Sequence, residues 1–100
     1  MKTLLYHHTH RDNVRSIMAH GLKMTYARNQ RQPWVWLDCE PCETLASHVA
    51  TQHGWQREDV VVLAITIERE HCITHTLNVT FGGLSYKTRR DIAPESIVPL

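Results

Sequence analysis

Long hydrophobic runs are missing from this 100-residue chain. None approaches the roughly 18 continuous apolar residues that a membrane span requires. Glycine and proline number four each, and apolar residues make up 42% of the chain, which excludes collagen-like repeats and a disordered polar tract. Neither sign of charge prevails: 11 basic residues face 10 acidic ones, for a net charge of +1. That balance excludes a polybasic coat and an acidic tail. Cysteine is scarce and odd in number, at three, where a secreted disulfide framework uses an even set. The expectation is a reducing cytoplasm with free or metal-bound thiols. The opening Met1-Lys2-Thr3-Leu4-Leu5 runs straight into Tyr6-His7-His8 and not into the apolar stretch of about 7–15 residues that a secretory signal carries. A chain of this length supports one core between two layers, so a single domain over residues 1–100 is expected.

Histidine is abundant, with eight copies. It is the side chain that most readily serves as donor, acceptor, ligand or proton carrier near neutral pH. The near-neutral total also hides an uneven spread. Residues 1–37 hold six basic side chains against Asp12 alone, a surplus of five, whereas residues 38–70 hold two arginines against seven acids. The basic first third reads either as solvated surface or as a patch for phosphate or diphosphate.

Local patterning predicts the elements. Residues 4–7 read as a short strand. Val14, Ile17, Met18 and Leu22 recur at the spacing of one buried helix face, which predicts a helix over about residues 11–20, and Gly21 sits where a left-handed cap is wanted. Residues 23–33 have no clean period and read as a loop. Residues 34–37 favour strand. Asp38 or Cys39 is placed to cap a second helix, with Pro41 in its first turn, Leu45, Ala46, Val49 and Ala50 as its apolar face, and Gly54 at its end. Residues 60–67 form a nearly continuous apolar run, as in a central strand. Residues 76–81 alternate, Gly82-Gly83 is a turn, and residues 84–87 and 97–100 are short strand candidates. The order β-α-β-α followed mostly by β predicts an α+β domain with its two helices in the amino-terminal half.

Four groupings of residues have chemical potential. Tyr6-His7-His8-Thr9-His10 lies between strand and helix, where imidazole and hydroxyl groups suit a ribose and Arg11 and Arg15 suit phosphate. Histidines in that place also serve as plain caps, and the residues leave both readings open. Arg28 and Arg31 precede Trp34. Guanidinium forks match a diphosphate and an indole offers a flat face to a base, although a loop with core tryptophans reads the same way. Cys39 and Cys42, followed by His71, Cys72 and His75, have the residue types of a tetrahedral zinc site or of incidental buried thiols. The stretch from Tyr86 to Glu95 holds a carboxylate suited to orienting a ribose hydroxyl or acting as a base, or else forms a surface turn.

Taken in order, these segments resemble the ADP-ribosyltransferase-like superfamily, with RNA 2′-phosphotransferases and DarT-type DNA ADP-ribosyltransferases as the nearest likenesses. The resemblance rests on Leu5-Tyr6-His7-His8-Thr9-His10 with Asn13, Ile17 and Gly21-Leu22; on Arg31-Gln32-Pro33-Trp34-Val35-Trp36-Leu37; on the alanine-bearing helix ending in His53-Gly54; and on Ile92-Ala93-Pro94-Glu95-Ser96-Ile97. It implies a split, strongly bent β-sandwich with NAD between its two sheets. It further implies His7 and Thr9 at a ribose, Arg28 or Arg31 at the diphosphate, Tyr86 or a tryptophan at nicotinamide, and Glu95 as the catalytic carboxylate, with Glu68 and Glu70 as the other candidates. The activity implied is transfer of ADP-ribose from NAD to a macromolecular acceptor, protein or nucleic acid, as in toxins or phage counter-defence proteins. Trp36 stands where the phosphotransferase pattern carries a second histidine, which sets RNA 2′-phosphate removal behind transfer. Two further readings are a non-catalytic module that captures a nucleotide or a partner, and a zinc-stabilised domain.

Overall fold

The histidine-rich opening folds as one long strand. In the computed structural model, which describes residues 1–24, 35–38, 41, 43–75 and 85–100, strand β1 runs Lys2–His10. It continues through a 3-10 turn at Arg11–Asn13 into helix α1, Val14–His20. Strand β2 is Val35–Asp38, helix α2 is Glu43–His53, and strands β3 to β6 are Val60–Glu68, Ile73–His75, Ser85–Thr88 and Ile97–Pro99. Among the described residues the six strands form one antiparallel sheet in the order β4-β5-β2-β1-β3-β6. The chain is therefore a small α+β fold with two helices. No helix among the described residues is long and apolar enough to cross a membrane.

The register sorts side chains between two faces, because directly opposed residues project to the same side. β1 and β3 pair along their whole length, from Lys2↔Glu68 to His10↔Val60. Leu5, Leu63, Ile65, Ile67, Val35, Leu37 and Ile97 share one face and pack with Ile17, Leu22 and Ile92 into the larger core, which α1 covers through Ile17, Val14 and Met18. Val60 lies on the opposite face, where it packs with Ala46 and Ala50 of α2 and with Trp55. Helix α2 starts at Glu43, not at Asp38, which instead ends β2. The backbone already paired with Tyr6 at Asp38 cannot also open a helix. The expected alternating strand over residues 76–81 and the glycine turn after it lie outside the described residues, whereas β4 is a strand that the patterning did not mark.

Pairing is uneven across the sheet. Among the described residues nine register pairs join β1 to β3 and one, Tyr6↔Asp38, joins β1 to β2. Farther out, Thr88 in β5 is fully buried and its hydroxyl donates to the His71 carbonyl at 2.8 Å, tying β5 to the turn before β4. Thr88→Val keeps the shape and leaves that carbonyl without its partner. The expected cost is about 1–3 kcal/mol, seen as a lower midpoint in a urea titration with an unchanged slope.

Candidate functional site

Strand alternation sends consecutive histidines to opposite faces. His7 shares the face of Leu5 and the larger core; His8 lies on the face of Tyr6 and Asp38. Each histidine reaches across to β2. His7 Nδ1 donates to the Trp36 carbonyl at 2.9 Å, and His8 Nδ1 donates to Asp38 Oδ2 at 3.2 Å. A carbonyl oxygen only accepts, so Nδ1 of His7 carries its proton and Nε2 presents a lone pair. Burial pushes the His7 pKa below its ordinary 6.5, with the His8 charge acting in the same direction, while the Trp36 carbonyl and Asp38 act against it. The imidazole is half-buried, and among the described residues no buried side-chain nitrogen or oxygen lacks a partner. No hydrogen bond to Nε2 is present among the described residues. The outcome is a neutral, oriented imidazole with an acceptor lone pair on Nε2.

This state has a pH signature. A histidine whose pKa falls on folding adds stability above the ordinary range near 6.5, and that stability is lost as pH falls through the lowered value. An NMR titration of the His7 ring is expected to show a midpoint below 6.5, and any ligand held by Nε2 to stay bound from pH 8 down through about 6.5 before weakening. A midpoint at or above the ordinary value would contradict the assignment.

Tyr86 falls on the same face as His7. Leu37 stands one residue beyond the Tyr6–Asp38 pair, toward His7, and is in register with Tyr86. His7, Leu37 and Tyr86 thus form a row across three strands, which sets the two ends roughly 10 Å apart at ordinary strand spacing. Tyr86 is half-buried against the larger core, and Arg69 lies over its ring at 4.7 Å.

Other expected site residues are placed differently. Thr9 lies on the face of His7 but is buried, and its Oγ1 accepts from Asn13 Nδ2 at 3.2 Å, so it anchors the turn into α1 and does not stand open beside His7. Glu95 is exposed in the 3-10 turn Pro94–Ser96, just before β6. β3 separates β6 from β1, so Glu95, in the turn that leads into β6, enters at the sheet edge on the other side of β1 from β2. Glu68 stands opposite Lys2, at the end of β1 away from His10, and Glu70 is exposed just beyond it. Arg11 is engaged by Asp59 Oδ1 at 2.9 Å and by the Glu58 carbonyl at 2.8 Å, so it does not await a phosphate. Arg28, Arg31, Cys39 and Cys42 lie outside the described residues. Cys72 packs in the larger core, and among the described residues no group of three His, Cys, Asp or Glu side chains is placed to hold a metal ion.

Some contacts were not readable from local pattern. Only His10 acts as a cap: its Nδ1 accepts the Asp12 N–H at 3.0 Å, while its ring meets Trp55 edge-on and Trp55 stacks on His53 at 4.2 Å. The His8–Asp38 pair and the bond from His7 to Trp36 join residues 30 and 29 positions apart. No family model and no curated protein sequence matches this chain.

Proposed function

We propose that this domain binds NAD across the junction of β1 and β2 and transfers ADP-ribose to a macromolecular acceptor, protein or nucleic acid, as an ADP-ribosyltransferase-like enzyme. The observation that carries the reading is His7. It is a neutral imidazole held by the Trp36 carbonyl through Nδ1, which leaves Nε2 with the acceptor lone pair that a ribose hydroxyl needs. Tyr86, in the same row, would hold the nicotinamide end, and the basic segment with Arg28 and Arg31 leads directly into β2 and would meet the diphosphate.

In the proposed reaction the bond between nicotinamide and ribose breaks with its electron pair leaving on nicotinamide. The acceptor nucleophile then bonds to the exposed ribose carbon and releases its proton to solvent water. The contribution of His7 is to hold a ribose so that the reacting carbon stays aligned. Calorimetry with NAD, run beside an assay for released nicotinamide, tests the proposal. Binding with release supports it, and absence of both contradicts it.

A second reading is favoured by a specific observation. The only strand carboxylates among the described residues, Asp38 and Glu68, lie on the face opposite His7, and Glu95 sits in the turn before β6, which β3 separates from β1. A module that captures a nucleotide without turning it over fits that arrangement, and the same pair of measurements separates the two: heat without released nicotinamide selects capture.

A further inference from the structure

We propose that His8 and Asp38 are a positioning pair that holds β2 against β1 and so fixes the orientation of His7 at the nucleotide site. The proposal rests on the reading of His7 given above and extends it to residues that touch no nucleotide.

Among the described residues β1 and β2 share one register pair, Tyr6↔Asp38, and side chains add further bonds between the two strands. Two consecutive histidines do so, one on each face: His7 through the Trp36 carbonyl and His8 through Asp38. These two bonds differ in strength and access. The His8–Asp38 bond joins a ring to a carboxylate, and its side chains are 2% and 16% exposed. Hydrogen bonds to a charged partner are about twice as strong as neutral ones, and a shielded site protects them from water. The His7 bond is neutral and half-exposed, and depends on where β2 places a main-chain oxygen.

Trp36 lies two residues before Asp38 on the same short strand. A shift of Asp38 relative to β1 therefore moves the Trp36 oxygen relative to His7. Burial of His8 excludes a role in meeting substrate and leaves positioning as its function. The charges of His8 and Asp38 also reach the His7 ring in opposite senses, so the pair bears on the protonation of that ring as well as on its placement.

The test reads the His7 ring by long-range proton–nitrogen NMR on wild type, Asp38→Ala, Asp38→Asn and His8→Leu. Wild type is expected to show a single tautomer with the proton on Nδ1. Asp38→Ala and His8→Leu are expected to show a mixture of both tautomers and an NAD dissociation constant raised about tenfold, the equivalent of one hydrogen bond. Asp38→Asn keeps an oxygen that accepts from His8 and is expected to stay close to wild type. A single Nδ1 tautomer retained in both Asp38→Ala and His8→Leu would overturn the proposal. If one of them does not fold, the other decides. If neither folds while Asp38→Asn does, the pair serves the fold and not His7, and the proposal fails. The tautomer is measured without nucleotide. Failure of wild type to bind NAD therefore removes the proposed function and leaves this inference to stand or fall on its own signal.

Discussion

His7→Ala is expected to weaken NAD binding about tenfold and to lower nicotinamide release about a hundredfold or more. The two numbers have different origins. On the proposed reading, affinity loses one neutral hydrogen bond at a ribose hydroxyl, worth about 0.5–1.5 kcal/mol. Release suffers more, because a misplacement of about 1 Å in a bound reactant costs on the order of a hundredfold in rate. The substitution also removes the only side-chain bond from His7 to β2, so the position of Trp36 relaxes with it. His7→Gln offers a comparison: its amide donates and accepts, and partial recovery of binding is expected. Equal affinity for wild type and His7→Ala, measured by calorimetry, would remove His7 from the site.

Gly21→Ala is expected to be the most damaging single-methyl change in the described chain. Gly21 has φ 85° and ψ −177°, a region that is in effect reserved for glycine and costs about 1–3 kcal/mol for any other residue. Its Cα also abuts the Ile92 main chain, so an added Cβ would run into the Ile92 carbonyl oxygen and lie 3.2 Å from Pro94 Cδ. That oxygen cannot retreat, because it accepts the Leu22 N–H at 2.9 Å while the Ile92 N–H donates to the Leu22 carbonyl at 2.8 Å. Overpacking against a fixed backbone adds about 1–3 kcal/mol. A loss of about 2–6 kcal/mol lowers the melting temperature of a domain this size by about 8 °C or more. Calorimetric melting within about 2 °C of wild type would contradict this account of the junction between α1 and the final segment. Gly54 also has positive φ, at 72°, but nothing lies within 4 Å of a Cβ placed there. Gly54→Ala is accordingly expected to cost only the backbone penalty, about 1 kcal/mol.

Gly21 also shows what local sequence carries. Its place after Val14, Ile17 and Met18, just before Leu22, is enough to anticipate a helix end, because helix periodicity and caps are contacts within a few residues. The apolar run of β3 was legible for the same reason. The interior of the site was not. Within five residues of sequence, His7 and His8 look like equivalent histidines near a helix start, and Asp38 looks like a helix cap. Their roles depend on a strand partner about 30 residues away, and no local period encodes the register that sets Tyr6 opposite Asp38. Arg11 shows the same effect from the other side. A basic residue at the start of a helix reads as a phosphate ligand until Asp59, brought in by the approach to β3, turns out to engage it.

The face alternation of β1 was available in principle. A strand extended to His10 assigns His7 and His8 to opposite sides at once, but the short apolar core at residues 4–7 marks only the first half of that strand. The second half is polar because its side chains serve as connections: His8 to Asp38, Thr9 to Asn13 and His10 to Asp12. Polar residues that satisfy one another inside a sheet carry no hydrophobic period, so pattern reading ends the strand too early.

The central claim is that Nε2 of His7 accepts a hydrogen bond from a ribose of NAD. It is tested most directly by following the two ring nitrogens of His7 by NMR while NAD is added at pH 7.5. Nδ1 is expected to keep its proton throughout, and the Nε2 resonance to move progressively to a saturating value in the direction of a hydrogen-bonded acceptor. A Nε2 resonance that stays in place at saturating NAD, or a proton found on Nε2 in the free protein, would contradict it.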